Sequence, residues 1–260
     1  MNILEKKMID VLSELKEKYG VFEIKAEFEA EGSRIDELMR LKDVTSSVNL
    51  PLLLKIGGVE AVTDVYSGMA LGATGIVAPM AETKYALSKF TDLIDNFIPE
   101  DNVEDIEFAV NIETITACKN FEDMLTLDNI LNLSSITIGR VDLSSSMDLD
   151  RSVINTSKKL ENICREVFIK SKCKSLKTAL GGGISKGSLG IIEKLVKDEL
   201  LDKYETRKVV FPASSYKYGE KSILKAVEFE LLWLKSKKRY YSTIYQEDDK
   251  RIKMLESRGF

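Results

Sequence analysis

Short strand-like runs and longer helix-like segments take turns along this chain almost from end to end. After an opening amphipathic helix with Leu4, Met8, Val11, Leu12 and Leu15 on one face, Gly20 is placed to end it. "VFEIKAEFEAE" then alternates strictly, with Phe22, Ile24, Ala26 and Phe28 on one side and Glu23, Lys25, Glu27 and Glu29 on the other. "SRIDELMRLKDV" reads as a helix with Ser33 as N-cap and Ile35, Leu38 and Met39 as its apolar stripe. The pair recurs through "LPLLLKI", "TGIVAP", "IEFAVNI", "SSITIGR", "LKTALGGG" and "KVVFPAS", each run followed by a helical segment. Such alternation is the pattern of βαβ units around a parallel sheet. No Pro-, Gly- or Ser-rich boundary divides the chain, so residues 1–260 read as one domain. The expected fold is an α/β barrel of the TIM type, with seven strands legible and one missing or unrecognised, an N-terminal helix and a C-terminal helical arm. A doubly wound open sheet is the competing closure, but "KAEFEAEG" stands where its glycine-rich fingerprint would follow the first strand.

Composition narrows the chemistry. The chain has no histidine, so proton transfer must use Glu, Asp, Lys, Tyr, Cys or a metal-bound water, and a Ser-His-Asp or Cys-His nucleophile is impossible within it. The 38 basic and 42 acidic residues nearly balance without long like-charged blocks, which gives no nucleic-acid or membrane signal. Three cysteines without metal-ligand spacing, and an amino terminus that lacks a signal-peptide pattern, lead to the expectation of a reduced, cytoplasmic protein. The apolar run "SILKAVEFELLWLKS", hydrophobic on more than one face, is expected to be buried all round and to meet another subunit of a homo-oligomer.

In a barrel of this type function gathers where strands end. Glu27 and Glu29, Lys55, Glu113, Arg140, Asp142, Gly181, Gly182, Gly183 and Ser214 all fall at such places, and Lys25 shares the inward face of the first strand with Glu27. Glu113 and Asp142 would end adjacent strands, and two carboxylates plus waters suit Mg²⁺ or Mn²⁺; salt bridges to Arg140, or helix capping, are the alternatives. Lys55 or Lys25 could hold a substrate carboxylate, steady an enolate, or form an ion pair inside the barrel. The glycines, followed by Ser185, present a helix start that can receive an anion, or an ordinary tight turn.

"NIETITACKNFEDML" together with "ITIGRVDLSSSMDLD" resembles the HpcH/HpaI aldolases and citrate lyase beta-type proteins of the phosphoenolpyruvate/pyruvate barrel superfamily, over roughly Val21 to Tyr218. "GATGIVAPMAETKYAL" is similar to that family's strand ending in proline and methionine. The resemblance implies that Glu113 and Asp142 coordinate Mg²⁺ or a similar ion, which holds a pyruvate or 2-oxo acid fragment. Two departures stand out. Lys55 occupies the position of the family's substrate-binding arginine, and the histidine-based general base of the hydroxy-acid aldolase branch is absent.

The expected activity is that of a metal-dependent carbon–carbon lyase or aldolase acting on a small 2-oxo acid or its aldol adduct. Lys55, Glu27, Glu29 and Arg140 are its expected catalytic groups, and Lys25, Gly181, Gly182, Gly183 and Ser214 its substrate-binding ones. A Schiff-base lyase using Lys55 or Lys25, and a catalytically idle barrel that binds a ligand or partner, are the alternatives.

Overall fold

Gly20, in the left-handed region at φ +72°, ends helix α1 (Ile3–Tyr19) and turns the chain into the first strand, as the sequence predicts. The computed structural model describes residues 1–258. Its elements continue as β1 (Glu23–Glu27), α2 (Ile35–Ser46), β2 (Leu52–Lys55), α3 (Val62–Ala70), β3 (Gly75–Ala78), α4 (Lys84–Phe97) and the single turn α5 (Glu100–Val103). Then come β4 (Glu107–Asn111), α6 (Ile115–Met124), β5 (Ser135–Gly139), α7 (Arg140–Ser145), α8 (Lys158–Cys173), β6 (Lys177–Gly181), α9 (Leu189–Lys197), β7 (Lys203–Glu205), β8 (Val209–Pro212) and α10 (Glu220–Glu256). The eight strands close into one barrel in chain order. Among the described residues no helix is long and apolar enough to cross a membrane.

The unrecognised strand is β7. It has only three residues, and Lys203 and Glu205 point inward around an outward Tyr204, so no apolar run betrays it. β7 runs parallel to β6, but β8 runs antiparallel to both β7 and β1. The run "KVVFPAS" is therefore the return arm of a tight hairpin and not a parallel strand that opens a further βα unit. Thr206 closes the turn, its backbone N–H donating to Val209 O at 3.0 Å. A smaller correction concerns α2: Arg34, not Ser33, is its N-cap, and Ile35 and Met39 are exposed while Leu38, Leu41 and Val44 are buried.

Two interiors of opposite character result. Outward-facing strand residues such as Ile24, Leu54, Ile76, Phe108 and Ile138 pack against the helices in one continuous apolar core. Inside the barrel Leu53, Val77, Ala109 and Val210 form a thin apolar layer. Below that layer, at the strands' N-terminal ends, Lys203 Nζ lies 3.2 Å from Glu107 and 3.6 Å from Glu23, and Lys177 reaches Glu107 at 2.7 Å. Above it lie the groups described in the next section.

The floor cluster makes a testable contribution to stability. Burial pushes the Glu23 carboxyl up from its ordinary 4.5 to about 7, Lys203 offsetting only part of the cost. The folded protein thus holds a proton that the unfolded chain releases, so stability falls as pH rises from about 4.5 to about 7. The fall attributable to this residue is about 3 kcal/mol. Glu23→Gln is expected to flatten that slope and raise stability at pH 8, since Lys203 keeps Glu107. Urea unfolding at several pH values measures this, and an unchanged slope would contradict it.

Candidate active site

The strands' C-terminal ends surround a cavity of about 390 Å³, which brings together residues from β1, β2, β4, β5 and β7 and from loops beyond the strands. Lys25 and Glu27 project from β1 and Lys55 from the end of β2; Asn111 ends β4, with Glu113 two residues on. Glu205 ends β7, and Thr206 and Arg207 form the hairpin turn beside it. The inward phase of β1 places Lys25 and Glu27 as the alternation predicts. Glu29 lies beyond the strand, part-buried at the rim.

Two lysines are each clamped between carboxylates. Lys25 bonds Glu205 and lies 3.2 Å from Glu27. Lys55 lies 2.9 Å from Glu29 and 3.4 Å from Glu113. Burial alone would lower both amines, but the facing carboxylates outweigh it and hold both above their ordinary value. That direction opposes the one a Schiff-base nucleophile requires. For Glu27 burial is likewise outweighed, here by Lys25 and Lys55, and its carboxyl sits below the usual range.

Glu113 is almost wholly enclosed. Asn111 Nδ2 donates to its Oε2 at 3.0 Å and the Met80 N–H to its Oε1 at 3.3 Å. A side chain at Gly139 would place its Cβ 2.4 Å from Glu113 Oε2, so glycine there makes room for the carboxylate. Burial raises the Glu113 carboxyl, Lys55 pulls against it, and the charge of Asp142 adds to the rise. Asp142 itself is an exposed residue in the first turn of α7, lining the same cavity. It is not the buried strand-end group that the sequence suggests, because β5 stops at Gly139.

These oxygens can be tested against a divalent ion. Among the described residues no three His, Cys, Asp or Glu side chains cluster to hold a metal by themselves. Asn111 Oδ1, however, is buried without a hydrogen-bond partner beside Glu113. Two carboxylates and an amide oxygen, all hard donors lining one cavity that the exposed Asp142 opens to water, fit a hydrated Mg²⁺ or Mn²⁺, ions that commonly take one or two carboxylates and keep several waters.

Two expected site residues belong elsewhere. Arg140 is fully buried and does not line the cavity. Its guanidinium donates to the carbonyls of Gly181, Ile154 and Gly182 and to Asn155 Oδ1 and Ser188 Oγ, all between 3.0 and 3.3 Å. All five donors are used, no carboxylate among them, and burial pushes the group down to about 10. Arg140 ties the β6 loop to α7; it does not line the cavity and, among the described residues, pairs with neither Glu113 nor Asp142. Ser214 lies at the opposite end of the barrel, because β8 descends, and its neighbour Ser215 bonds Tyr19 O at 2.6 Å. Gly182 and Gly183 do line the cavity, in left-handed conformations, whereas Gly181 ends β6 against Glu205. A Cβ at Gly182 would stand 2.4 Å from Arg140 N, so close backbone approach accounts for this glycine.

Sequence reasoning missed Asn111, Glu205, Thr206 and Arg207. Asn111 was within reach, being in phase with the inward Ala109 on β4. The other three depend on the hairpin, which no periodicity announces. Arg151 and Arg207 at the rim, both exposed, are the cavity's remaining cations.

No family model and no curated protein matches the chain. Its fold does match solved structures. The HpcH/HpaI aldolase from Desulfitobacterium hafniense DCB-2 superposes with a TM-score of 0.61 at 13% identity, over 78% of this chain and 82% of that one. An HpcH/HpaI aldolase/citrate lyase family protein from Burkholderia cenocepacia J2315 gives 0.60 at 12% identity, over 89% and 90%. The citrate synthase SbnG gives 0.61 at 14% identity, over 78% and 82%. The chain shares the barrel fold of these proteins.

Proposed function

We propose that the barrel mouth binds a small 2-oxo acid and makes or breaks a carbon–carbon bond beside its carbonyl, as a lyase or aldolase related to the HpcH/HpaI and citrate lyase group. The observation that carries this reading is the enclosed Glu113 with an unpartnered Asn111 Oδ1 beside it, facing the same cavity as Asp142. Glu113, Asp142 and Asn111 would hold Mg²⁺ or Mn²⁺. A divalent ion bound there supplies a Lewis acid to a developing enolate oxygen. Lys55 opposes the rise that burial imposes on the Glu113 carboxyl and adds positive charge on the cavity wall. Arg151 at the rim would receive the substrate carboxylate, with Arg207, which stands 4.0 Å from Glu31 and from Glu230, beside it; Lys25 is enclosed by Glu27 and Glu205. Glu27, held below the usual carboxylate range, is a weak base; Glu29 at the rim, 2.9 Å from Lys55, would be the carboxylate that moves a proton. The fold likeness supports the reaction class, and the acidic oxygen donors support the ion.

The self-neutralised pairs around Lys25 and Lys55 favour one second reading, a barrel that binds an acid or a partner without turnover. Exchange of pyruvate methyl protons with deuterium, followed by NMR with Mg²⁺, with Mn²⁺ and with chelator, separates the two. Metal-dependent exchange is expected, falling about a hundredfold or more in Glu113→Gln and in Asp142→Asn, with circular dichroism unchanged. Pyruvate binding by calorimetry without any exchange would favour the idle barrel, and either variant exchanging like the parent would remove the proposed ion site.

A further inference from the structure

Helix α10 has 37 residues, about 55 Å at roughly 1.5 Å per residue. It climbs antiparallel to α1, from the Tyr19–Tyr218 ring contact through the Lys225–Glu14 pair to the Asn2 end of α1. Ile223, Ala226, Phe229 and Trp233 face the barrel. The opposite side is not buried as the sequence suggests: Leu231 and Leu234 are 49% and 52% exposed. From Thr243 to Glu256 every residue but Asp249 and Met254 is exposed. A free helix of this length is marginal in water.

Both parts carry one stripe. Leu231, Leu234, Lys238, Tyr241, Tyr245, Asp248, Ile252 and Leu255 follow in steps of three and four, the heptad spacing of a coiled-coil seam. Tyr245 is 71% exposed and Ile252 52%. We propose that the free arm of α10 and its outer stripe pair with the same helix of a second copy as an antiparallel two-stranded coil, its two-fold axis passing beside Thr243.

In that register Leu231 meets Leu255 of the second copy, Leu234 meets Ile252 and Lys238 meets Asp248, while Tyr245 packs beside Tyr241, whose hydroxyl donates to Glu37 of its own chain. Beside the seam Lys235 meets Asp249, and Ile244 meets its own equivalent. A parallel pairing would instead set Lys238 against Lys238 and Asp248 against Asp248, so charge selects the antiparallel arrangement. The buried face of α10 is turned away from the seam, which leaves the two barrels on opposite sides of the coil.

Sedimentation velocity of the full chain across micromolar concentrations is expected to show a dimer. Ile252→Glu, and separately Lys238→Glu or Asp248→Lys, should each weaken dimerisation about tenfold or more with the melting temperature of the barrel unchanged. The double variant Lys238→Glu/Asp248→Lys should restore it. A monomeric parent, an association insensitive to Ile252→Glu, or a double variant no tighter than the single ones would each overturn the proposal.

Discussion

Arg140→Met is expected to destabilise the folded barrel by about 4 kcal/mol or more, a large share of the roughly 5–15 kcal/mol that holds a domain of ordinary stability together. Methionine approximates the length of the side chain but donates nothing, so the buried carbonyls of Ile154 and Gly181 and the part-buried carbonyl of Gly182 lose their guanidinium partner. Each unsatisfied buried acceptor costs about 1–3 kcal/mol. Arg140→Lys should recover only part, because one ammonium has three donors for five acceptors. Denaturant unfolding of the parent and both variants measures the order. A parent-like midpoint in Arg140→Met would show that the loop beyond β6 holds its shape without the clamp, and would reopen a catalytic role for the arginine.

The second large effect is expected from Lys25→Met. Removing the one cation between Glu27 and Glu205 leaves two enclosed carboxylates facing each other, and breaking a buried pair from one side costs about 3–5 kcal/mol. The pH response should also change sign. In the parent, the depressed Glu27 carboxyl contributes stability that is present above about 4.5 and lost as pH falls. In the variant the same carboxyl, enclosed and without Lys25, should hold its proton more tightly when folded than when unfolded. Stability should then decline as pH rises from acid toward neutral. Thermal unfolding at pH 4 and pH 7 decides this: a variant that loses as much at pH 4 as at pH 7 would mean that packing around the lysine stem, and not charge, carries the effect.

The parts of the fold read correctly from sequence are those in which one residue type repeats at one period. The alternation in β1 exposes which side of the barrel wall each residue takes, and Gly20 marks the end of α1 because a left-handed turn tolerates few other residues. Glu113 and Lys55 were legible for the same reason, each closing an apolar run at the mouth. What stayed hidden was direction. Nothing in "KYETRKVVFP" distinguishes a strand that returns from one that opens a new βα unit, since hydrogen-bond partners far apart in the chain decide it. Ser214 was misplaced by that error alone. Arg140 was misread for a different reason: its position at a strand end is that of a catalytic group, and only the carbonyls gathered around it show the clamp.

The hairpin of β7 and β8 also bears on how the barrel is assembled in time. Neighbouring parallel strands in the rest of the wall pair across a whole intervening helix, so each junction must wait for a sizeable loop to close. β7 and β8 pair across a turn of a few residues, which places them among the most local contacts of the sheet. The seam between β8 and β1 is the most distant in chain order and rests on two residue pairs, Glu23 with Val210 and Ile24 with Val209. The hairpin can therefore form early as a unit, while the ring shuts last, at a joint no broader than that between β6 and β7. Amide exchange across β1 and β8 should then report opening of the ring before any other strand pair comes apart.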